Sequence, residues 1–127
     1  MLKEDRTAII LCGGKGSRLG ALGKRLPKSL VTVQKKEIIW YIINILRKNK
    51  FNHLILPTGY KGNLIKKYIR KNKFKLNIEC IETGKNSNIG LRIAKIIKKV
   101  KTKNVLLLNG DAIFDLNIKS IYQNHSK

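Results

Sequence analysis

A glycine-rich loop that directly follows a short apolar run constrains this chain more than any other feature. The apolar run, Thr7–Cys12, predicts a buried strand, and Gly13, Gly14 and Gly16 come immediately after it. Glycines let a backbone turn sharply and approach a ligand closely, because they carry no Cβ. Successive N–H groups in such a turn form a concave site for an anion. An ordinary surface loop is the alternative interpretation of the glycines taken alone.

Basic side chains in and after this loop favour phosphate as the anion. The guanidinium of Arg18 can bind two phosphate oxygens at once, and Lys28 supplies a second, compact positive charge. Two familiar phosphate motifs are excluded. A dinucleotide-binding loop needs a third glycine where Leu19 stands, and a Walker A loop needs Lys and then Ser or Thr after Gly16, which Ser17 follows instead.

Short apolar segments alternate with helical patterns along the rest of the chain. This alternation predicts βαβ units and a mostly parallel sheet, whose ligands collect beyond the carboxyl ends of the strands. The predicted extended segments are Thr7–Cys12, Ser29–Val33, His53–Pro57, Leu76–Ile81 and Asn104–Leu108, and the predicted helices are Glu37–Lys48, Gly62–Asn72, Ile89–Val100 and one from near Ile118.

Three of these segments carry specific expectations about burial. The helix at Glu37–Lys48 is apolar on nearly all sides, which predicts burial in the domain or in a subunit interface and favours a homo-oligomer. The run VLLL in Asn104–Leu108 does not alternate, which predicts a strand covered on both faces. In Ile89–Val100 the residues expected to face inward are Ile89, Ile93, Ile96, Ile97 and Val100.

A carboxylate after the last of these strands is the leading metal-ligand candidate. Asp111 follows Gly110 at the edge where the glycine loop is also expected, and Mg²⁺ bound to nucleotides typically takes one or two protein carboxylates. Asp115 is close enough in sequence to assist, or to cap a turn. No nucleophilic triad is indicated, and His53 and His125 are interpreted as structural or solvated.

Composition limits the cellular context and the partners. The 127-residue chain carries a net charge of +21, which fits nonspecific binding of polyanions. Its lysines are spread over predicted helix surfaces without interleaved aromatic residues, so a solvated surface is favoured over a specific nucleic-acid site. Cys12 and Cys80 lack metal-ligand spacing and are expected to be reduced in a cytoplasmic protein. No signal peptide or membrane-spanning segment is predicted.

The loop sequence GGKGSRL, followed by Pro27-Lys28, resembles the signature of the sugar-phosphate nucleotidyltransferases. The segments IIWYI, TGYKGNLIKKYI, ETGKNSNIGLRIAKI and NGDAIFDLNIKSIYQNH are similar to the glucose-1-phosphate cytidylyltransferases, in the same order. The resemblance implies a Rossmann-like, GT-A-like three-layer αβα fold with a mostly parallel sheet. Residues 1–127 would then be the N-terminal nucleotide-binding portion of a truncated domain, and little turnover is expected of this portion alone.

The same resemblance implies a reaction and a set of contacts. CTP, or another nucleoside triphosphate, and a phosphorylated small molecule such as a sugar 1-phosphate would give a nucleotide-linked product and pyrophosphate. Arg18, Lys28 and Asp111 would be catalytic, and Asp111 and Asp115 would bind Mg²⁺. The residues implied to bind the nucleotide are Leu11, Gly13, Gly14, Gly16, Ser17, Arg18, Lys28, Thr83, Gly90 and Arg92.

Some residues depart from the cytidylyltransferase pattern. Ile89 and Leu91 replace a threonine and a glycine beside the base, and Asn109 and Ala112 alter the turn around Asp111. Besides an enzyme, two further hypotheses therefore stay open. One is a non-catalytic nucleotide-binding remnant or a half-site that needs a partner chain, and the other is a basic nucleic-acid-binding protein.

Overall fold

The computed structural model describes residues 5–12, 26–84 and 87–110, and within them helices and strands alternate. Short 3-10 turns lie at Lys28–Leu30 and Ile97–Lys99. The strands are β1 (Thr7–Leu11), β2 (Thr32–Val33), β3 (Lys36–Glu37), β4 (His53–Thr58), β5 (Asn77–Glu82) and β6 (Val105–Asn109), and the helices are α1 (Ile38–Lys48), α2 (Gly62–Asn72) and α3 (Ile89–Ile96).

The main sheet of the described chain contains four strands, all parallel, in the order β5–β4–β1–β6. From β1 the chain moves outward through β4 to β5, and then returns to pair β6 with the opposite side of β1. Thr7 lies beside His53 of β4 and Val105 of β6, and Leu11 lies beside Asn109. The predicted parallel α/β fold is confirmed, and its strand order reverses direction between β1 and β6.

Helices cover both faces of this sheet, because consecutive side chains of a strand point to opposite sides. On one face of the sheet, Ile9 of β1 and Ile55 of β4 pack with Ile96 of α3. The opposite face packs against α1, α2 and the 3-10 turn before β2. Its buried residues are Ala8, Ile10, Cys12, Leu30, Ile38, Ile39, Ile42, Ile43, Leu46, Phe51, Leu54, Leu56, Ile65 and Leu108.

Helix α1 buries one side within its own chain. Its fully covered residues are spaced three or four apart, as expected for a helix packed on a sheet. Trp40 and Ile45 are half-buried, and the Tyr41 hydroxyl donates a hydrogen bond to the Val33 carbonyl at 2.7 Å. The prediction of a buried helix is thus confirmed for the described chain, and self-association remains a prediction.

The extended segment predicted at Ser29–Val33 is wrong in its first half. Residues Lys28–Leu30 form a 3-10 turn, which brings Ser29 and Leu30 into the core. Extended structure begins only at β2, which pairs with β3 as a hairpin. Its two turn residues, Gln34 and Lys35, have φ values of 49° and 77°, as a tight type I′ connection requires.

The burial predicted for the last helix and strand also needs correction. Ile97 is 48% exposed, because the α-helix ends at Ile96 and a 3-10 turn rotates the residues after it. Ile89, the first residue of α3, is 57% exposed. In β6, Val105 and Leu107 are 37% and 47% exposed, since the described cluster beneath α3 is centred on β1 and β4. The helix predicted from near Ile118 lies outside the described residues.

In the described part of the chain, no helix combines the length and apolarity needed to cross a membrane. Both cysteines are free thiols, with Cys12 buried and Cys80 partly buried. Burial raises the pKa of the Cys80 thiol from 9.0 to about 11, against the opposing effect of Lys66 and Arg70. Cys80 is therefore protonated at neutral pH.

We expect Cys80 to alkylate slowly at pH 8, about a hundredfold slower than a free thiol of pKa 9, because only the thiolate is nucleophilic. The rate should rise about tenfold per pH unit up to pH 10. Iodoacetamide labelling followed by peptide mass spectrometry separates Cys80 from Cys12. A rate that is already on a plateau at pH 8 would contradict the raised pKa.

Candidate functional site

The carboxyl ends of β1 and β6 lie in direct contact at the point where the strand order reverses. The Gly110 N–H donates to the Leu11 carbonyl at 2.9 Å. A Cβ added to Gly110 would lie 2.9 Å from both the Cys12 Sγ and the Leu11 carbonyl oxygen, so only glycine fits without displacement. In open parallel α/β sheets this reversal point is where ligands bind.

The carboxyl ends of β4 and β5 are joined by a buried guanidinium from α3. The Arg92 Nη1 donates to the Thr58 carbonyl at 3.3 Å and to the Thr83 Oγ1 at 3.0 Å. The Thr83 N–H and Oγ1 donate to the same Thr58 carbonyl at 2.8 and 2.9 Å. Arg92 is only 6% exposed, and these bonds to oxygen offset part of the cost of burying its charge.

A second cation of α3 reaches the same turn one helical turn later. The Lys95 Nζ donates to the Thr83 carbonyl at 2.8 Å and to the Ser87 Oγ at 3.4 Å. The Ser87 hydroxyl also donates to the Thr83 carbonyl. Gly84, with a φ of +100°, allows the chain to turn between them. The turn between β5 and α3 is thus held by two positive side chains.

The structure brings only some of the predicted site residues together. Thr83 and Arg92 contact each other, whereas Gly90 is exposed in the first turn of α3 and Leu11 contacts Gly110. The remaining predictions lie outside the described residues and stay predictions: Gly13, Gly14, Gly16, Ser17, Arg18, Asp111 and Asp115.

Lys28 opens the 3-10 turn before β2. Leu26 and Leu30, which flank it, belong to the same hydrophobic cluster as Cys12 and Leu108 near the ends of β1 and β6. This packing holds the backbone around Lys28 against the hydrophobic cluster that also contains the ends of β1 and β6. Its role toward phosphate remains a prediction.

Lys95, Gly59 and Ser87 are the site-edge residues that sequence reasoning missed. Lys95 had a usable signal, because a residue three positions after Arg92 lies on the same helix face. Gly59 belongs to the GYKG segment, but its contact with Arg92 had no signal in the sequence: a Cβ added at Gly59 would clash with the Arg92 Nη1. The histidine interpretation fits the structure for His53, whose Nε2 lies 2.6 Å from a Glu79 carboxylate oxygen.

Metal binding stays a prediction. Within residues 5–12, 26–84 and 87–110, no three His, Cys, Asp or Glu side chains come together as a metal site would require. The predicted ligands, Asp111 and Asp115, both lie beyond the last described residue, so the contacts of the described chain neither support nor oppose them.

A family model described as nucleotidyl transferase matches residues 7–127, which is almost the whole chain. The chain belongs to the nucleotidyl transferase family. The match begins at the first residue of β1 and includes the glycine loop, the α3 helix and the segment after β6. The resemblance drawn from the GGKGSRL segment is thereby confirmed at the level of the family.

Curated relatives of this nucleotidyl transferase include enzymes for different bases. A D-glycero-alpha-D-manno-heptose 1-phosphate guanylyltransferase of Aneurinibacillus thermoaerophilus is 31% identical over 118 residues, covering 93% of this chain and 51% of the relative. A probable glucose-1-phosphate cytidylyltransferase of Bacillus subtilis is 30% identical over 139 residues, covering 93% and 55%. The chain thus spans about half the length of these relatives.

Solved structures agree on the fold. HddC from Yersinia pseudotuberculosis, crystallised with GMP-PN, superposes on 94% of this chain and 53% of its own, with a TM-score of 0.82 and 23% identity. The CTP:phosphocholine cytidylyltransferase LicC of Streptococcus pneumoniae covers 86% of this chain and 46% of its own, with a TM-score of 0.70 and 25% identity. The nucleotidyltransferase fold is therefore confirmed for the half-length chain.

Proposed function

We propose that this chain forms the nucleotide-binding part of an enzyme that transfers a nucleotidyl group from a nucleoside triphosphate to a sugar 1-phosphate or a similar phosphorylated metabolite. A phosphate oxygen of the acceptor forms a bond to the α-phosphorus, the bond from that phosphorus to the bridging oxygen breaks, and pyrophosphate leaves. Such a reaction needs positioned substrates and neutralised charge more than a protein nucleophile. We place it in cytoplasmic nucleotide-sugar biosynthesis.

The observation that carries this proposal is the contact between the ends of β1 and β6. The Gly110 N–H bonds to the Leu11 carbonyl at 2.9 Å, so the segments that follow both strands start at the same place. The glycine loop with Arg18 comes after β1, and Asp111 comes directly after Gly110. This juxtaposition supports one shared site in which Arg18 and Lys28 bind phosphates.

Magnesium is part of the proposal on the chemistry of the donors. Asp111 and Asp115 offer carboxylate oxygens, which are the ligands that Mg²⁺ prefers. Bound there, the ion would neutralise charge on the triphosphate. The protein residues would then have the tasks of holding the triphosphate, excluding water and orienting the acceptor.

CTP is the nucleotide that the segment resemblance favours, and GTP is a second candidate with its own support. The alignment to the B. subtilis cytidylyltransferase runs over 139 positions and that to the guanylyltransferase over 118, although both cover 93% of this chain. The difference of 21 positions corresponds to insertions that this chain lacks. The shorter alignment therefore favours the guanylyltransferase pattern, and the GYKG and GD segments favour the cytidylyltransferase pattern.

Calorimetric titration of the purified chain with CTP, GTP and UTP, each with Mg²⁺, tests the proposal. We expect one nucleotide to bind, and Arg18→Ala to weaken that binding about tenfold or more, because charged hydrogen bonds to phosphate are lost. Arg47→Ala is the matched control, since this exposed α1 arginine bonds only locally to Asn44 in the described chain. If no nucleotide binds, the interpretation as a half-site that needs a partner chain replaces this proposal.

A further inference from the structure

Arg92 is 6% exposed, and its Nη1 group is directed into the protein. The Arg92 Nη1 lies between the Thr58 carbonyl and the Thr83 Oγ1, at the ends of two neighbouring strands. The Thr83 hydroxyl in turn donates a hydrogen bond to the Thr58 carbonyl at 2.9 Å. Three groups from β4, from the residue after β5 and from α3 thus form one closed hydrogen-bonded triangle.

The surrounding backbone is shaped around this guanidinium. A Cβ on Gly59 would clash with Nη1 of Arg92, and it would lie 2.8 Å from both the Arg92 Nη2 and the Gly84 carbonyl oxygen. Since real Cβ contacts are not that short, Gly59 leaves the space that the guanidinium occupies. The position of the guanidinium therefore requires a residue without a side chain directly after β4.

The first turn of α3 depends on the same contacts. Asn88 caps this helix, with its Oδ1 accepting from the Leu91 N–H at 2.8 Å, and its carbonyl accepts from the Arg92 N–H at 3.0 Å. Arg92 and Lys95 draw this helix start toward Thr83. A change in Arg92 would therefore move the start of α3, including exposed Gly90, relative to the strand ends.

From this geometry we infer that Arg92 is a positioning residue, which fixes the β5–α3 turn for nucleotide binding by acting through Thr83, and does not itself contact the nucleotide. The inference rests on the proposed function, because it specifies how one edge of that same site is held. It also changes the role implied for Arg92 by the family resemblance, in which the side chain would border the nucleotide.

The test compares Arg92→Met, Arg92→Lys, Thr83→Val and the Arg92→Met/Thr83→Val double variant by calorimetry, with the nucleotide that the unmodified chain binds best. Arg47→Met is the matched control. We expect Arg92→Met and Thr83→Val each to weaken binding about tenfold, and the double variant to be no more than about threefold worse than either, because coupled residues are not additive. Arg92→Lys should recover most of the loss.

Salt dependence separates positioning from direct contact. A cation that binds phosphate loses affinity with salt, so its removal makes the salt dependence shallower. We expect Arg92→Met to keep the salt dependence of the unmodified chain, and Arg18→Ala to flatten it. A double variant weakened about a hundredfold, with a flattened salt dependence in Arg92→Met, would show direct contact and overturn the inference.

Two remaining outcomes are also decisive. Binding by Arg92→Met equal to that of Arg47→Met would overturn the positioning role. If the unmodified chain binds no nucleotide, the proposed function fails. Amide hydrogen exchange then tests separately whether Arg92 holds the turn between β5 and α3 in place. Faster exchange of the Thr83 and Leu91 amides in Arg92→Met, but not in Arg47→Met, would support it, and unchanged exchange would overturn it.

Discussion

Leu54→Ala is expected to lower the free energy of unfolding by about 2–5 kcal/mol, the range for removing a buried leucine side chain. Leu54 lies in β4, between β1 and β5, and is completely inaccessible to solvent. It belongs to the cluster that joins the sheet to α1 and α2. Because the interior is close-packed, its neighbours can fill the vacated volume only in part.

Leu107→Ala is the matched control for this prediction. Leu107 is also a strand leucine, but it is 47% exposed on the face of β6 that the described residues leave uncovered. Its truncation should cost less than about 1 kcal/mol, since little apolar area returns to water. Urea denaturation followed by circular dichroism measures both variants. Equal losses would mean that the uncovered face of β6 is buried in solution, for example against another copy of the chain.

Gly110→Ala is expected to destabilise the protein by about 1–3 kcal/mol, the usual cost of forcing atoms into a packed interior. Its Cβ would lie 2.9 Å from the Leu11 carbonyl oxygen, a backbone atom that cannot move without shifting β1. The change would also separate the strand ends after which the proposed phosphate-binding loop and the proposed metal ligand Asp111 follow. We therefore expect nucleotide affinity to fall together with thermal stability.

The stability control is Gly90→Ala. A Cβ at Gly90 would meet only the Asn88 Oδ1, at an ordinary distance of 3.6 Å. Because Gly90 lies in α3, alanine should leave the free energy of unfolding unchanged or raise it by up to about 1 kcal/mol. The melting temperature should accordingly stay the same or rise. A differential scanning fluorimetry series that ranks Gly110→Ala as no less stable than Gly90→Ala would contradict the packing argument at the ends of β1 and β6.

The sequence was informative wherever one local pattern determined the structure. Helix α2 begins and ends where predicted, at Gly62 and Asn72, since its apolar residues keep a single helical face. Predictions from the sequence failed where residues elsewhere in the chain determine the local structure. The turn residues Gln34 and Lys35 adopt positive φ without the glycine or asparagine that normally indicates a hairpin, so β3 and its pairing with β2 were missed. Uniform apolarity in β6 could not reveal that the described residues leave one face of this strand uncovered.

The candidate site shows the same division. Motif reasoning found Thr83 and Arg92, and their contact with a nucleotide stays a prediction. What it did not foresee is that the Arg92 Nη1 donates to the Thr58 carbonyl and to the Thr83 Oγ1. Backbone carbonyls leave no trace in a sequence, and Thr58 precedes Arg92 by 34 residues. The adjacency of β1 and β6 was expected only as a shared sheet edge. The alternation of strands and helices along the sequence does not determine the order of the strands in the sheet, so the direct pairing of β1 with β6 could not be predicted.

The central place of β1 has a consequence for how the chain folds. Thr7 is synthesised before both of its partners, His53 and Val105. One side of β1 therefore stays unpaired until β4 is made, and the other side until β6 is made. Parallel pairing over such long sequence separations is slow, because loop closure must precede any gain from the contacts. During synthesis the β6 side of β1 is thus an unpaired strand edge, which is prone to aggregation until β6 is made.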